Sequence, residues 1–509
     1  MENKHNIEES YRILFLQACD FYKKRNNNKG LEIEFIHDID GKKILDKRFN
    51  SVLDYSLDLI KLDEISKQKK DEEVFDKYRT DIINVAFDYQ STTKLNLYEL
   101  REWAYKEGLV LNGRKYVRYK RSSGSSRVGQ CLFILEELYK KMDKWSSCGI
   151  NPKSKAVKEN IVSWEAYRAL SLSEIKNIIN INPEHILVLK DYEHVFYSNG
   201  IQVTINDKKL VEEEKQSIQI KNNIWDGEGL LDSSYFVGEY ADKGMMLLRN
   251  RFFKSCVFNT NLRKWFEDNN ITELNQLNGY TNAKSIDDIK LVVTESSIKY
   301  LKFGTLDEWR KNIDSNFGVV KTDKPTHFFD GQMVQTSYQL INSLNLSEEE
   351  VSQLLEDSFD YLKQIQQDKD VLRFHLFQRA KKHTHPIGFE DEDDFYIEES
   401  YRDDVMLKLL RINDKFHLTK AYKQFRSNLL TSLRNKLYIG KILIDGTYAT
   451  LFGNGYELLL ETIKKFDHKN PTSLIKKSNI YCNFFDDNEE LVCARSPHIT
   501  MGNLYVAKN

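Results

Sequence analysis

The chain has 509 residues, with Lys+Arg at 75 against Asp+Glu at 77, a formal net charge of -2. At roughly 150 residues per domain this length suggests about three domains, and 40% hydrophobic with 30% charged residues describes a globular chain. Balanced charge excludes a wholesale basic binder of the histone type, but leaves room for a local basic groove that takes nucleic acid. No stretch approaches the ~18 consecutive apolar residues of a membrane span, and the polar, acidic start MENKHNIEES is neither a signal nor a transit peptide. The expected location is therefore cytoplasmic. The cysteines (Cys19, Cys131, Cys148, Cys256, Cys482 and Cys493) form no Cys-x-x-Cys and stand near no His at ligand spacing, which supports neither a disulfide framework nor a zinc site.

In chain order, residues 1–184 are expected to be mainly helical, with a lysine- and glutamate-rich surface at Lys67–Glu73. Within them lies a basic segment, 112–130, that holds Arg114, Lys115, Arg118, Lys120, Arg121 and Arg127 with no acid from Asn112 to Arg127. From 185 to 322 the pattern becomes strand-like. Ile186–Leu189 reads as a buried strand, and Val195–Ile205 as a hairpin turning at Asn199-Gly200, since Asn-Gly accepts the positive φ of a tight turn. Met245–Leu248 and Lys290–Thr294 are further strand runs. Residues 323–434 read as a helical linker region: Ser347 to Glu350 forms a capping box, and Val351, Leu354, Leu355, Phe359, Leu362 and Ile365 follow at helical spacing. A second strand-rich block, 435–509, is expected to open with a hairpin turning at Asp445-Gly446. The pair His383 and His385, before Pro386, reads as a surface loop rather than a metal site, and the acidic run Glu390–Asp394 as a solvated loop. The fold class expected is α+β, multidomain.

Four segments carry chemistry. In the basic segment the cations pair with phosphates, Tyr116 and Tyr119 can stack on bases, and Gly/Ser lets a backbone approach a ligand; a solvated loop is the competing reading. Trp225-Asp226-Gly227-Glu228-Gly229 alone is a turn. Arg249, Arg251 and Lys254 sit in an apolar, aromatic stretch, and as a strand Arg249 and Arg251 would share a face. Cations there need an anion, either a phosphate or an internal carboxylate. In Arg495-Ser496-Pro497-His498 the proline fixes the backbone just after Arg495, so the guanidinium is presented rigidly.

Taken in order, these segments resemble the single-chain, two-barrel RNA polymerases, which include the eukaryotic gene-silencing RNA-dependent RNA polymerases and bacterial and phage relatives. Trp225 to Leu230, with Asp226, Gly227 and Gly229, looks like the family's Asp-Gly-x-Gly segment. Leu248-Arg249 followed by Lys254 looks like its phosphate-binding Arg…Lys segment, and Gly440 to Gly446 like the opening of the second barrel. Arg495, Pro497 and His498 resemble the Arg-x-Pro turn that places an arginine near the ribose of the incoming nucleotide.

The resemblance implies a first double-psi β-barrel at 185–322 and a second, incomplete one at 435–509. It implies template-directed RNA synthesis from NTPs on an RNA or DNA template, with Mg²⁺ as the cofactor of the complete enzyme. Lys254, Arg249 and Arg251 would bind the triphosphate, Lys254 and Arg495 being the catalytic pair. The family's metal-binding Asp-x-Asp-Gly-Asp motif follows the Arg-x-Pro turn, whereas this sequence ends at Asn509 without it. His37-Asp38-Ile39-Asp40-Gly41 is a partial lookalike that reads as a hairpin turn, and Asp486-Asp487 is a turn ahead of Arg495. The expectation is a truncated or split polymerase that binds no metal by itself and takes a second polypeptide for the rest of the barrel. The alternative is a non-catalytic nucleic-acid-binding protein on the same scaffold.

Overall fold

The computed structural model describes residues 10–66, 78–87, 96–121, 124, 128–207, 209–323, 329–383, 396–471, 479–495 and 503–509. The chain forms two compact units, one of Met1–Thr322 with Leu458–Phe466 and one of Asp323–Glu457 with Asp467–Asn509. Both mix helix and strand, so the protein is α+β and multidomain.

The first unit opens with strands β1 (Tyr11–Gln17), β2 (Ile36–Ile39), β3 (Lys42–Leu45), β4 (Ser51–Leu53), β5 (Tyr78–Ala86), β6 (Leu109–Leu111), β7 (Arg114–Arg118) and β8 (Gln130–Leu135). Six of them form one mixed sheet in the order β4-β1-β5-β8-β7-β6. This corrects the expectation that 1–184 is mainly helical. β5 is buried from Arg79 to Ala86, and a strand covered on both faces has no apolar–polar alternation to read. Its charged members, Arg79 and Asp81, pair with each other at 2.6 Å inside the sheet. β2 and β3 meet at Asp40 and Gly41, both at positive φ, which makes the Asp38–Gly41 stretch the hairpin turn expected of it.

Next come β9 (Asn177–Asn180), β10 (Ile186–Leu189), β11 (Glu193–Ile205), β12 (Val211–Asn223), β13 (Glu228–Asp232), β14 (Met245–Asn250), β15 (Phe253–Thr260), β16 (Leu291–Thr294) and β17 (Asn316–Thr322). Seven of these form a sheet in the order β10-β16-β13-β15-β14-β17-β9. One face carries Leu231, Met246, Leu248, Phe253, Val257, Leu291, Val293, Phe317 and Val319 into a core closed by Trp164, Tyr300 and Trp309. β11 and β12 stand apart as a two-stranded ribbon. The ribbon corrects the Asn199-Gly200 turn: Asn199 pairs with Ser217 and Gly200 with Gln216 in mid-strand. The chain reverses instead at Asn206–Leu210, where Lys209 has φ +61 and the Asn206 side chain accepts the Leu210 N–H at 3.0 Å.

In the second unit, helices Glu348–Gln367, Lys369–His383, Tyr396–Ile412 and Lys420–Tyr438 pack around Ile365, Leu372, Leu376, Leu407, Leu410 and Tyr422. Ser347 caps the first, with Glu350 completing the box as expected. Strands β18 (Met333–Gln335) and β19 (Leu443–Asp445) pair, as do β20 (Glu490–Ala494) and β21 (Leu504–Lys508). The expected hairpin at Asp445-Gly446 is therefore corrected. Leu437 and Tyr438 end a helix, closed by Gly440 at φ +75 with the Lys441 N–H on the Lys436 carbonyl, a left-handed cap that glycine permits.

Candidate functional site

The site begins with a two-residue turn. β14 and β15 pair antiparallel with Asn250 opposite Phe253, so Arg251 and Phe252 make the connection. Phe252 takes φ +56, a costly conformation for a side chain of its size, and is held there by burial among Trp164, Tyr300 and Phe303 at 5.4, 5.9 and 5.9 Å between ring centroids.

This turn decides where the three cations go. Arg249 stands directly opposite Lys254, and opposite residues of an antiparallel pair share a face. Leu247 stands opposite Cys256, and Cys256 in turn lies beside Glu228 of parallel β13. All five occupy the sheet face turned away from the Trp164 core. The half of that face bearing Leu230, Met245 and Phe258 is covered by Leu262, Phe266 and Leu458. In the other half Lys254 is exposed, Glu228 and Cys256 are half-buried and Arg249 is buried. Burial pushes the Cys256 thiol up to about 11, with Glu228 adding to the rise and Arg249 opposing it, as expected of three groups in mutual reach. A bulge in β17 also sets exposed Lys321 opposite Leu247, on the same face. Sequence reading missed Lys321 because only the register reveals it.

The neighbouring turn is fixed by its backbone. The Trp225 carbonyl accepts the Glu228 N–H at 3.1 Å and the Thr294 hydroxyl at 3.1 Å. Gly227 has φ +72, gives its N–H to Ser296 Oγ at 3.0 Å and takes the Cys256 N–H at 2.8 Å. A Cβ on Gly229 would lie 2.8 Å from the Val292 carbonyl oxygen. Both glycines are thus explained by geometry, and Asp226 is exposed at the turn.

Arg251 does not join Arg249 and Lys254. It donates to the Trp145 carbonyl at 2.8 Å and to Asp314 at 2.8 Å, lies 4.9 Å from the Trp145 ring, and is 5% exposed. The expected phosphate-binding role for Arg251 is corrected to a structural tie, because the turn takes it out of the strand alternation.

The basic segment is likewise supplied with carboxylates from other elements. Arg114 pairs with Glu137 at 3.0 Å and Lys115 with Glu136 at 2.9 Å, both carboxylates on helix Glu136–Ser146. Arg118 pairs with Glu165. Lys120 is 2% exposed and bonds Asp58 at 2.9 Å and Ser171 Oγ at 3.1 Å. A phosphate cannot reach it there, which corrects its placement in a nucleic-acid surface. Burial outweighs Asp58 and lowers the Lys120 ammonium to about 8. Arg121 is partly exposed, and Arg127 lies outside the described residues.

Arg495 belongs to the second unit, exposed at the end of β20 with its N–H on the Asn503 carbonyl at 2.9 Å. Pro497 and His498 lie outside the described residues, as do His385 and Glu390–Asp394. Among the described residues no group of three His, Cys, Asp or Glu gathers that could hold a metal. The described residues thus do not fit Mg²⁺. No described helix is long and apolar enough to cross a membrane.

No protein-family model matches the chain, and no curated protein is significantly similar to it. Among solved structures, nine chains match. One is the RNA dependent RNA polymerase QDE-1 from Thielavia terrestris, with TM-score 0.35 and 9% identity over 60% of this chain and 31% of that one. The chain thus aligns with about a third of the polymerase's length.

Proposed function

We propose that the chain is the triphosphate-binding part of an RNA polymerase-type nucleotidyltransferase, and that its seven-stranded sheet is the first double-psi barrel of that enzyme class. The observation that carries this is the Arg249–Lys254 cross-strand pair on the open half of the sheet face, beside the Asp226–Gly229 turn. Lys254 brings a compact ammonium to the non-bridging oxygens, and Arg249 a buried fork that is desolvated before the ligand arrives. Both would neutralise charge as pyrophosphate departs. RNA or DNA is the template of such an enzyme. The Mg²⁺-binding carboxylates it needs would come from outside the described residues or from a second polypeptide.

Photo-crosslinking with an azido-ATP, followed by peptide mapping, tests the reading. Label is expected on peptides spanning Met245–Thr260, and excess unlabelled ATP should remove it. Label confined to other peptides, or none, would reject it. RNA retention on a filter without ATP crosslinking would favour the non-catalytic nucleic-acid binder.

A further inference from the structure

The β11–β12 ribbon has a conspicuous edge. Each strand is thirteen residues long, and among the described residues neither pairs with any third strand. From Val195 to Ile205, β11 contains no Asp, Glu, Lys, Arg or Pro. The charges of the ribbon's long arms lie instead on Glu193 and on β12, at Glu212, Glu213, Glu214, Lys215 and Lys221. Natural edge strands are usually blunted by Lys, Pro or a bulge against pairing with another chain. Over a length of roughly 37 Å, at ~3.4 Å per residue, this one is not. One of its faces is open and apolar apart from Asn199, with Val195, Tyr197, Ile201, Val203 and Ile205 exposed by 42, 67, 55, 57 and 72%.

We infer that this edge pairs with a second copy of itself, antiparallel about a two-fold axis at Gly200, to make a four-stranded sheet from two ribbons. The uncharged run offers nothing to a polyanion or a charged peptide, whereas its own sequence suits it. In the register centred on Gly200, Val195 meets Ile205 of the partner subunit and Tyr197 meets Val203 of the partner subunit, so apolar side chains align at both ends of one face, with Asn199 against Ile201 of the partner subunit at its centre. Ser198 meets Gln202 of the partner subunit on the other. Such cross-strand pairs are the unit of sheet stabilisation, and an isologous contact of this kind closes as a dimer. A single strand edge is small beside a standard interface of about 800 Å² per partner, so the dimer is expected to dissociate on dilution.

Sedimentation velocity on the full chain, from about 1 to about 100 µM, tests this. Wild type should pass from monomer to dimer across that range. Ser198→Lys with Gln202→Lys sets four cations around the axis, and should weaken the dimer at least about tenfold. Ser198→Glu with Gln202→Lys sets opposite charges across the axis and should keep it. Neither pair touches the exposed apolar face; within the ribbon, residue 202 stands beside Glu214 and residue 198 opposite Ile218 in both variants alike, so the two differ only in the sign of the charge at 198. A wild-type chain that stays monomeric throughout, or a double-lysine variant that dimerises like wild type, would overturn the inference.

Discussion

Three cations within six residues come to do different work, and the difference lies in one turn. Arg249 and Lys254 face each other across a hairpin, while Arg251 in the connection is turned to Trp145 and Asp314. Replacing Arg251 with Met removes one donor each from the Asp314 carboxylate and the Trp145 carbonyl, and should cost about 1–3 kcal/mol of stability in urea unfolding. Glu228 shares the face of Arg249 and Lys254, so it competes with any bound anion. Glu228→Gln should therefore raise affinity for inorganic tripolyphosphate, read by calorimetry, and unchanged or weaker binding would remove Glu228 from the site. Lys120 allows a pH test. Its folded pKa of about 8 lies below its ordinary 10.5. The unfolded chain binds more protons between those values, so this residue's contribution to stability rises from pH ~8 to ~10.5 and is lost as pH falls through 8. The groups facing it are Asp58, Arg168, Arg251, Tyr119 and Ser171. Denaturant midpoints should climb with pH over that window in wild type, and this component should be missing in Lys120→Met. Equal slopes in both proteins would show that another group is responsible.

At the scale of elements, legibility followed burial pattern. Met245–Leu248 and Leu291–Thr294 were readable because short apolar runs fully buried in a sheet look like little else. β5 was not readable, since its Arg79–Asp81 pair hides inside the sheet and looks like surface. Asn199-Gly200 misled because a glycine in a strand and a glycine in a turn have the same neighbours. Only the β12 register, running through to Ile205 opposite Val211, separates them. The Asp226–Gly229 turn is legible in the sequence as a turn, but the need for each glycine is tertiary. Gly229→Ala drives a methyl to 2.8 Å from the Val292 carbonyl oxygen, with the Val293 and Ser255 side chains at 3.0 and 3.1 Å. A loss of about 1–3 kcal/mol is expected, and a melting temperature equal to wild type would mean that β13 and β16 can part at no cost.

For the whole molecule, the α+β character and the helical stretch after 340 were legible from spacing and caps, while the six-stranded sheet before 140 was not. Of the candidate site, the identities of Arg249 and Lys254 were visible in sequence. Their placement opposite each other, the exclusion of Arg251 and the arrival of Lys321 depend on registers set by a turn and a bulge. The basic segment shows the same limit, as its counter-charges Glu136, Glu137, Glu165 and Asp58 come from 21 to 62 residues away. The central claim, that the Arg249–Lys254 face holds polyphosphate while Arg251 holds the fold, is tested by titrating inorganic tripolyphosphate into wild type, Lys254→Ala and Arg251→Met at low salt and melting each. Lys254→Ala should bind at least about tenfold more weakly, ~1.4 kcal/mol, with its melting temperature unchanged, and Arg251→Met should melt lower yet bind as wild type. Wild-type affinity in Lys254→Ala, or loss of binding in Arg251→Met without loss of stability, would contradict it.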